Sequence, residues 1–135
     1  MINEYVEDVM RNSIMRFAEQ AEKKEDEVQL LISWDNENDK PKYKKIVFGE
    51  SNQEVELHEV LGTKKNIFNK PKEAMIDNFI TQSLHKFSEE LECEPSQVFV
   101  LIYLELINEY DDVLKLHLYK GSVPIKEISL QQILT

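Results

Sequence analysis

The stretch "MRFAEQ" at residues 15–20 recurs in altered form as "HKFSEE" at residues 85–90, seventy positions later. Shifting the chain by that distance aligns residues 1–48 with residues 71–118 without a gap, and nine of the 48 pairs are identical. The identical pairs are Ser13/Ser83, Phe17/Phe87, Glu19/Glu89, Glu22/Glu92, Val28/Val98, Leu31/Leu101, Ile32/Ile102, Asn38/Asn108 and Lys45/Lys115. Because self-similarity at a fixed offset is the signature of a repeated unit, the sequence predicts one unit written twice.

Each half of the chain changes its hydrophobic period at the same point. In the first half, apolar residues recur every three or four positions from Val6 to Ala21, which is the period of a helix. They then alternate from Val28 to Trp34, which is the period of a strand. The stretch "DNENDKPK" (35–42) is predicted to be a polar turn, in which Pro41 prevents the strand from continuing. Strands are predicted at residues 28–34, 43–49, 54–60, 98–106, 113–119 and 123–130, with a second helix before the fourth of them.

The order helix–strand–strand–strand, written twice, predicts an α+β fold. The predicted architecture is a tandem duplication of a helix–three-strand (αβββ) unit, with two amphipathic helices packed on one face of an antiparallel sheet. Residues 1–135 form a single compact domain in this interpretation, with repeats at residues 1–62 and 71–135 and a basic connector at residues 63–70. One continuous six-stranded sheet and two sheets related by a pseudo-twofold axis both satisfy this order.

The net charge of −10 is unevenly distributed along the chain. Residues 1–39 carry 11 acids and 4 bases, residues 40–72 carry 4 acids and 8 lysines, and residues 73–135 again carry 11 acids and 4 bases. Because an anionic surface repels phosphates and anionic lipids, we expect neither direct nucleic-acid binding nor membrane binding. The same charge favours a protein partner with a basic surface.

Three features of the sequence favour a cytoplasmic location. The longest apolar run, Val98–Leu104, is far shorter than the ~20 residues needed to cross a bilayer. The first ten residues, "MINEYVEDVM", carry acids where a signal peptide is apolar. The single cysteine, Cys93, excludes an internal disulfide and gives no sign of an oxidising compartment.

No motif of catalytic or metal-binding chemistry is complete. The acids of "DNENDK" (35–40) are spaced as in a calcium loop, but the sixth residue is lysine where that loop requires glycine. His58, His85 and His117 are not spaced as zinc ligands, and Cys93 has no cysteine companion. We therefore predict a non-enzymatic protein with no cofactor and no metal. A cleft of convergent polar groups near His58 or His117 would favour an enzyme instead.

The acids that follow each predicted helix are the candidate partner-binding surface, together with two acidic turns between strands. Acids at a helix C-terminus oppose the helix dipole, so their accumulation at the same place twice favours a use in binding. The candidates are Glu22, Glu25, Asp26, Glu27, Asp35, Glu37, Asp39, Glu89, Glu90, Glu92, Glu109, Asp111 and Asp112. They predict a module that occupies a basic surface of another protein, such as an inhibitor, an immunity-type protein or a nucleic-acid mimic.

The predicted strand at residues 98–106, "VFVLIYLEL", is apolar on both faces, whereas residues 28–34 carry Gln29 and Ser33 on the outer face. A strand that is apolar on both faces requires cover on both sides. The side chains that need this second cover are Phe99, Leu101 and Tyr103. The other repeat is one source of cover. The alternative prediction is a homodimeric acidic chaperone or assembly factor, with this strand as its dimer or client surface.

Overall fold

The computed structural model describes residues 2–62, 68 and 70–134, and the side chains of these except at residues 2, 3 and 134. The helices are α1 (Ile2–Ala21), α2 (Leu57–Leu61), α3 (Lys70–Glu90) and α4 (Leu130–Leu134). The strands are β1 (Val28–Asp35), β2 (Lys40–Val47), β3 (Gln53–Val55), β4 (Val98–Leu106), β5 (Asp112–Lys120) and β6 (Val123–Ile128). The predicted connector at residues 63–70 lies outside the described residues, apart from residues 68 and 70. None of the described helices has the length and apolar character that spanning a membrane requires.

All six strands form one antiparallel sheet in the order β3-β2-β1-β4-β5-β6. Each half contributes three consecutive strands, and the halves meet where β1 pairs antiparallel with β4. Leu31 lies opposite Leu101 at the centre of that pair. The fold is therefore α+β, with one continuous sheet rather than two.

The core lies between one face of the sheet and the two long helices. Alternate residues of β1 and β4 are buried on this face, from Val28 and Val98 to Ile32 and Ile102. Fully burying a side chain of this size stabilises the fold by about 1.5–3 kcal/mol relative to exposure. The helical residues in the same core are Val6, Met10, Ile14, Phe17, Ile76, Ile80, Leu84 and Phe87.

The prediction of a strand at residues 54–60 is wrong, because β3 is only three residues long and α2 follows it. Leu57 and Val60 are buried together, and their spacing of three suits a helix. The Glu59 carboxylate accepts the backbone N–H of Glu56 at 2.7 Å, which satisfies a free donor at the helix start. The alternation of apolar and polar residues in "EVELHEV" conceals this short helix.

Two other boundaries differ from the predictions. Pro41 lies inside β2, opposite Trp34, rather than in the turn. β3 pairs with only three residues of β2, and all three follow Pro41. The proline lacks a backbone N–H, but it has no partner in β3 that would need one. The last predicted strand ends early because α4 follows β6, and the backbone N–H of Ser129 donates to Gln132 Oε1 at 2.8 Å to cap that helix.

The two halves agree in backbone detail at an offset of 70 as far as β1 and β4. Both α1 and α3 are followed by a glutamate in the left-handed region, Glu22 with φ 57° and Glu92 with φ 55°. A 3₁₀ turn then precedes the central strand, at Glu25–Glu27 and at Pro95–Gln97. The ends of the two helices therefore have the same local geometry.

After the first hairpin of each half, the spacing between equivalent residues becomes 73. Val47 pairs with the first residue of β1, and Lys120 pairs with the first residue of β4. Lys45 consequently corresponds to Leu118, and the identity of Lys45 with Lys115 in the ungapped alignment is not a structural equivalence. The hairpin formed by β4 and β5 is longer than the hairpin formed by β1 and β2, both in its strands and in its turn. An alignment without gaps cannot represent this difference.

Candidate functional site

The face of the sheet opposite α1 and α3 is open over its centre. Leu31 and Leu101 point to this outer face and stay partly exposed, whereas their neighbours along each strand are buried. They line a shallow, mainly apolar hollow of about 480 Å³, which we call the central hollow. Its other lining residues are Gln29, Ile46, Phe99, Tyr119, Gly121 and Ser122. The pleat of β1 and β4 thus presents apolar side chains to solvent as well as to the core.

A second hollow, of about 300 Å³, lies at one end of the same face. It is lined by Asp26, Glu27, Gln29, Ile46 and Phe48, so it shares two residues with the central hollow. The Phe48 side chain is 70% exposed, and its backbone N–H donates to the Glu27 carbonyl at 2.9 Å. The two hollows adjoin and form one channel, which we call the outer groove.

The residues predicted as a dimer or client surface lie together on this face. Phe99 and Leu101 line the groove. Tyr103 lies beside it, with its hydroxyl 3.2 Å from Nε2 of His117, and burial raises the pKa of Tyr103. No element that the structure describes covers these side chains on the outer face of the sheet.

The predicted acids collect at opposite ends of the sheet. Because β1 and β4 are antiparallel, the 3₁₀ turn before β1 contacts β4, and the 3₁₀ turn before β4 contacts β1. The end of α1 therefore lies near the turn after β4, and the end of α3 lies near the turn after β1. The first acidic end comprises Glu22, Glu25, Asp26, Glu27, Glu109, Asp111 and Asp112. The second acidic end comprises Asp35, Glu37, Asp39, Glu89, Glu90 and Glu92.

Asp35 and Asp112 are engaged within the fold and are also largely covered, whereas Glu27, Glu90 and Asp111 make contacts that are more exposed. Asp35 is buried, and its Oδ1 accepts the backbone N–H groups of Glu37 at 3.0 Å and Asn38 at 3.3 Å. The side-chain hydrogen bond from Asn38, above all, lowers the pKa of Asp35. Asp112 pairs with Arg11 on α1 and is itself largely covered. Exposed negative charge at the two ends therefore comes mainly from the other acids.

Two clefts lie at equivalent places in the two halves. The first cleft, of about 540 Å³, opens between β2, β3, α2 and the start of α3. The second cleft, of about 480 Å³, opens between β5, β6, α4 and α1. Each of the eight residues that line the second cleft has a counterpart in the first. The pairs are Glu7/Asp77, Leu114/Pro41, Leu116/Tyr43, Glu127/Glu54, Ile128/Val55, Ser129/Glu56, Leu130/Leu57 and Gln132/Glu59.

The first cleft is richer in titratable groups than the second. The Tyr43 hydroxyl donates to Asp77 Oδ1 at 2.5 Å, at the positions where the second cleft has Leu116 and Glu7. Burial raises the pKa of Asp77, and burial also raises the pKa of Tyr43 well above its ordinary value. The remaining charged residues and the histidine that line the first cleft are Lys40, Lys42, Glu54, Glu56, His58, Glu59, Lys70 and Glu73.

This cleft meets part of the condition for an enzyme, since polar groups converge near His58. A carboxyl group with a raised pKa, such as Asp77, is the kind of group that exchanges protons in catalysis. No serine, threonine or cysteine is among its described lining residues, and the Tyr43 hydroxyl is hydrogen-bonded to Asp77. His58 Nδ1 lies 3.2 Å from a carboxylate oxygen of Glu56. The cleft thus holds an acid–base group with no serine, threonine or cysteine among its described lining residues, and we assign no reaction to it.

Within residues 2–62, 68 and 70–134, no three His, Cys, Asp or Glu side chains are grouped to hold a metal ion. The three histidines are dispersed. His85 packs edge-on against Trp34 at a centroid distance of 4.6 Å, whereas His58 lies on α2 and His117 on β5.

Comparison with known protein families, curated proteins and solved structures finds no match for this chain. Function is therefore inferred from the surfaces and clefts described above.

Sequence reasoning identifies four residues of the outer groove, Asp26 and Glu27 among the predicted acids and Phe99 and Leu101 on the predicted dimer or client surface, and misses others. Phe99 and Leu101 stand out because strand 98–106 is apolar throughout. Ile46, Phe48 and Tyr119 also contribute, and the only sequence signal for them is that they are apolar residues on predicted strands. That signal does not bring β2 and β5 to one groove, because the pairing of β1 with β4 joins segments seventy residues apart.

Proposed function

We propose that the protein is a non-enzymatic binding module that occupies a basic surface of another protein. An inhibitor, an immunity-type protein or a nucleic-acid mimic acts in this way. The observation that carries the proposal is an open apolar sheet face with an acid-rich end on each side. Apolar contact supplies affinity at the centre of an interface, and acids around it speed the encounter with a basic partner.

The apolar face supports the proposal because several apolar side chains are gathered around one depression on it. Here the central pair, Leu31 and Leu101, is flanked on the same face by Ile46, Phe99 and Tyr119. Aromatic side chains in a depression, here Phe99 and Tyr119, are the usual anchors of a protein interface.

The test is affinity capture from extracts of the native host, treated with nuclease, at low and high salt. Wild type is compared with Leu31→Ser/Leu101→Ser, which alters the groove, and with Leu106→Ser, which removes an apolar side chain outside it. We expect one stoichiometric protein that is lost with the groove variant, kept by the control and weakened by salt. A set of captured proteins that is identical for all three baits would refute the proposal.

A second candidate is the homodimeric chaperone or assembly factor, and the charges of the outer face favour it. The β2–β3 side of the apolar centre carries Lys42 and Lys44 with Glu54 opposite Lys44, an excess of base. The β4–β6 side carries Glu105 and Glu127 around Lys115, which contacts both, an excess of acid. A twofold contact places the same patch against itself, so opposite charges on the two sides are complementary. Sedimentation over a range of concentrations decides this candidate. We expect a dimer that Leu101→Lys converts to monomer, and a monomer at every concentration rejects it.

We also infer that the chain arose by tandem duplication of an αβββ unit, with repeats at residues 1–62 and 71–135. The inference is supported by the left-handed glutamates after α1 and α3, by the 3₁₀ turns that follow them, and by the two equivalent clefts. We propose a cytoplasmic location, which the lone Cys93 supports because it leaves no internal disulfide.

A further inference from the structure

The outer groove runs between two places that are equivalent in the two halves. At one, the backbone N–H of Phe48 donates to the Glu27 carbonyl at 2.9 Å. At the other, the backbone N–H of Gly121 donates to the Gln97 carbonyl at 2.7 Å. The central residue pair of β1 and β4 lies midway between them. The backbone alone therefore gives the groove no direction.

The side chains do give the groove a direction. The end near Phe48 carries the carboxylates of Asp26 and Glu27 beside an aromatic ring that is 70% exposed. At the other end, the counterparts of these two acids are the uncharged Ser96 and Gln97, and glycine stands in place of the phenylalanine. The lining of the groove thus has an acidic, aromatic end and an end with no carboxylate among its described lining residues, which we call the neutral end; Glu92 and Glu94 lie beside Gln97 but are not among the residues that line the groove.

We propose that the outer groove binds an extended or helical segment of a partner protein in a single direction. In this arrangement, apolar side chains of the segment lie over the central hollow, and a lysine or arginine lies at the end formed by Asp26, Glu27 and Phe48. This inference rests on the proposed function and adds to it the chemistry and orientation of the partner segment.

The acidic end suits a cation for two reasons. The two carboxylates give a cation a complementary charge, and a charge-assisted contact is stronger than a neutral one. The exposed face of Phe48 also attracts cations through its ring, and Lys23 Nζ already lies 6.0 Å from the ring centroid. The neutral end offers Phe99 and Tyr119 instead, which suit apolar contact.

The probe is a phage-displayed library of random linear peptides, selected on the intact chain at low salt. Selected peptides are synthesised with a nitroxide at either end, and the broadening of backbone amide signals is measured on ¹⁵N-labelled protein. We expect selected peptides to have an apolar run with a basic residue toward one end. A nitroxide at the basic end is expected to broaden the amide of Phe48, and one at the other end the amide of Gly121.

A charge exchange between the two ends provides the matched variant. It combines Asp26→Ser and Glu27→Gln with Ser96→Asp and Gln97→Glu, so the composition is unchanged. Glu27 Oε1 accepts the backbone N–H of Lys24 at 2.9 Å, and Gln97 Oε1 accepts the backbone N–H of Glu94 at 3.2 Å. Because glutamate and glutamine have the same shape, the exchanged side chains can accept the same two N–H groups. We expect the exchange to reverse the bound direction, with broadening from the basic end moving to Gly121. Asp26→Ser/Glu27→Gln alone is expected to weaken binding several-fold at low salt.

The possible outcomes separate this inference from the proposed function. Peptides that bind the groove in both directions, or in a direction that the exchange leaves unchanged, overturn the inference and leave the proposed function standing. Peptides that perturb no groove amide, or a library that yields none, overturn the inference, and the capture experiment then judges the proposed function independently. Concentration-dependent broadening of groove amides without peptide identifies a second copy as the occupant and also overturns the inference.

Discussion

The first and second clefts are formed by equivalent positions, yet they differ in chemistry. The first buries a hydrogen-bonded Tyr43–Asp77 pair, whereas the second has Leu116 and Glu7 at the same places. Burying a hydroxyl and a carboxylate is costly unless they are paired, and leucine serves the same packing position without that cost. The comparison separates the packing positions that both halves share from the side chains in which the two halves differ.

The largest effects are expected in the shared core, where the two halves are alike. Ile32 and Ile102 are equivalent, identical and at most 1% exposed. We expect Ile32→Ala and Ile102→Ala each to lower the free energy of unfolding by about 2–5 kcal/mol, because each removes buried methyl groups and leaves a cavity. Urea unfolding followed by circular dichroism measures both. Losses that differ several-fold would show that the halves do not share their core equally.

The Tyr43–Asp77 pair is the feature that most distinguishes the clefts. We expect Tyr43→Phe to lower the free energy of unfolding by about 1–3 kcal/mol at neutral pH, because it leaves the half-buried Asp77 carboxylate without its donor. The matched control is Tyr110→Phe, since that side chain is 90% exposed and its removal of a hydroxyl should cost little. Equal stability of the two variants in urea would mean that the pair is not stabilising.

Much of the shared framework is predictable from sequence, and much of the difference between the halves is not. Strand 98–106 matches β4 because its apolar run is bounded by polar segments. α4 is missed although the sequence holds a capping signal, Ser129 with Gln132 three residues later, because five residues show no helical period. The Tyr43–Asp77 pair joins residues 34 apart on different elements, so no local pattern reports it.

The first hairpins of the two halves offer a smaller test of the comparison. Asp35 accepts two backbone N–H groups in its turn, and Asn108 does the same from Tyr110 at 2.8 Å and Asp111 at 3.0 Å. We expect Asp35→Ala to destabilise more than Asn108→Ala, because Asp35 is buried and Asn108 is exposed. Amide hydrogen exchange in each turn measures the effect locally. A larger loss of protection at Asn108 would reverse this ranking.

The smallest effects are changes of stability with pH, and two aspartates are expected to act in opposite directions. The pKa of Asp77 is raised by burial, so the folded state holds a proton that the unfolded state has lost, and stability falls as pH rises from the ordinary value of 3.8 through the folded pKa. The pKa of Asp35 is lowered by the Asn38 side chain, so its contribution is present above 3.8 and is lost as pH falls through the folded pKa. Carboxyl NMR titration locates both pKa values.

Variants test these two signs separately. Asp77→Asn is expected to remove the loss of stability that accompanies the rise of pH above 3.8, whereas Glu7→Gln, at the equivalent position of the second cleft, is expected to keep it. Asp35→Asn is expected to flatten the loss on the acid side. An unchanged pH profile in both aspartate variants would contradict the assignments.

The pairing of β1 with β4 is the only strand contact between the two halves of the described sheet, and α1 and α3 each contact strands of both halves. The two halves therefore meet through one strand pair and through the packing of both long helices across it. The covalent link between residues 62 and 70 sets a high effective concentration of one half around the other. A chain cut within that link would have to reassemble by a bimolecular reaction, and its stability would then depend on protein concentration.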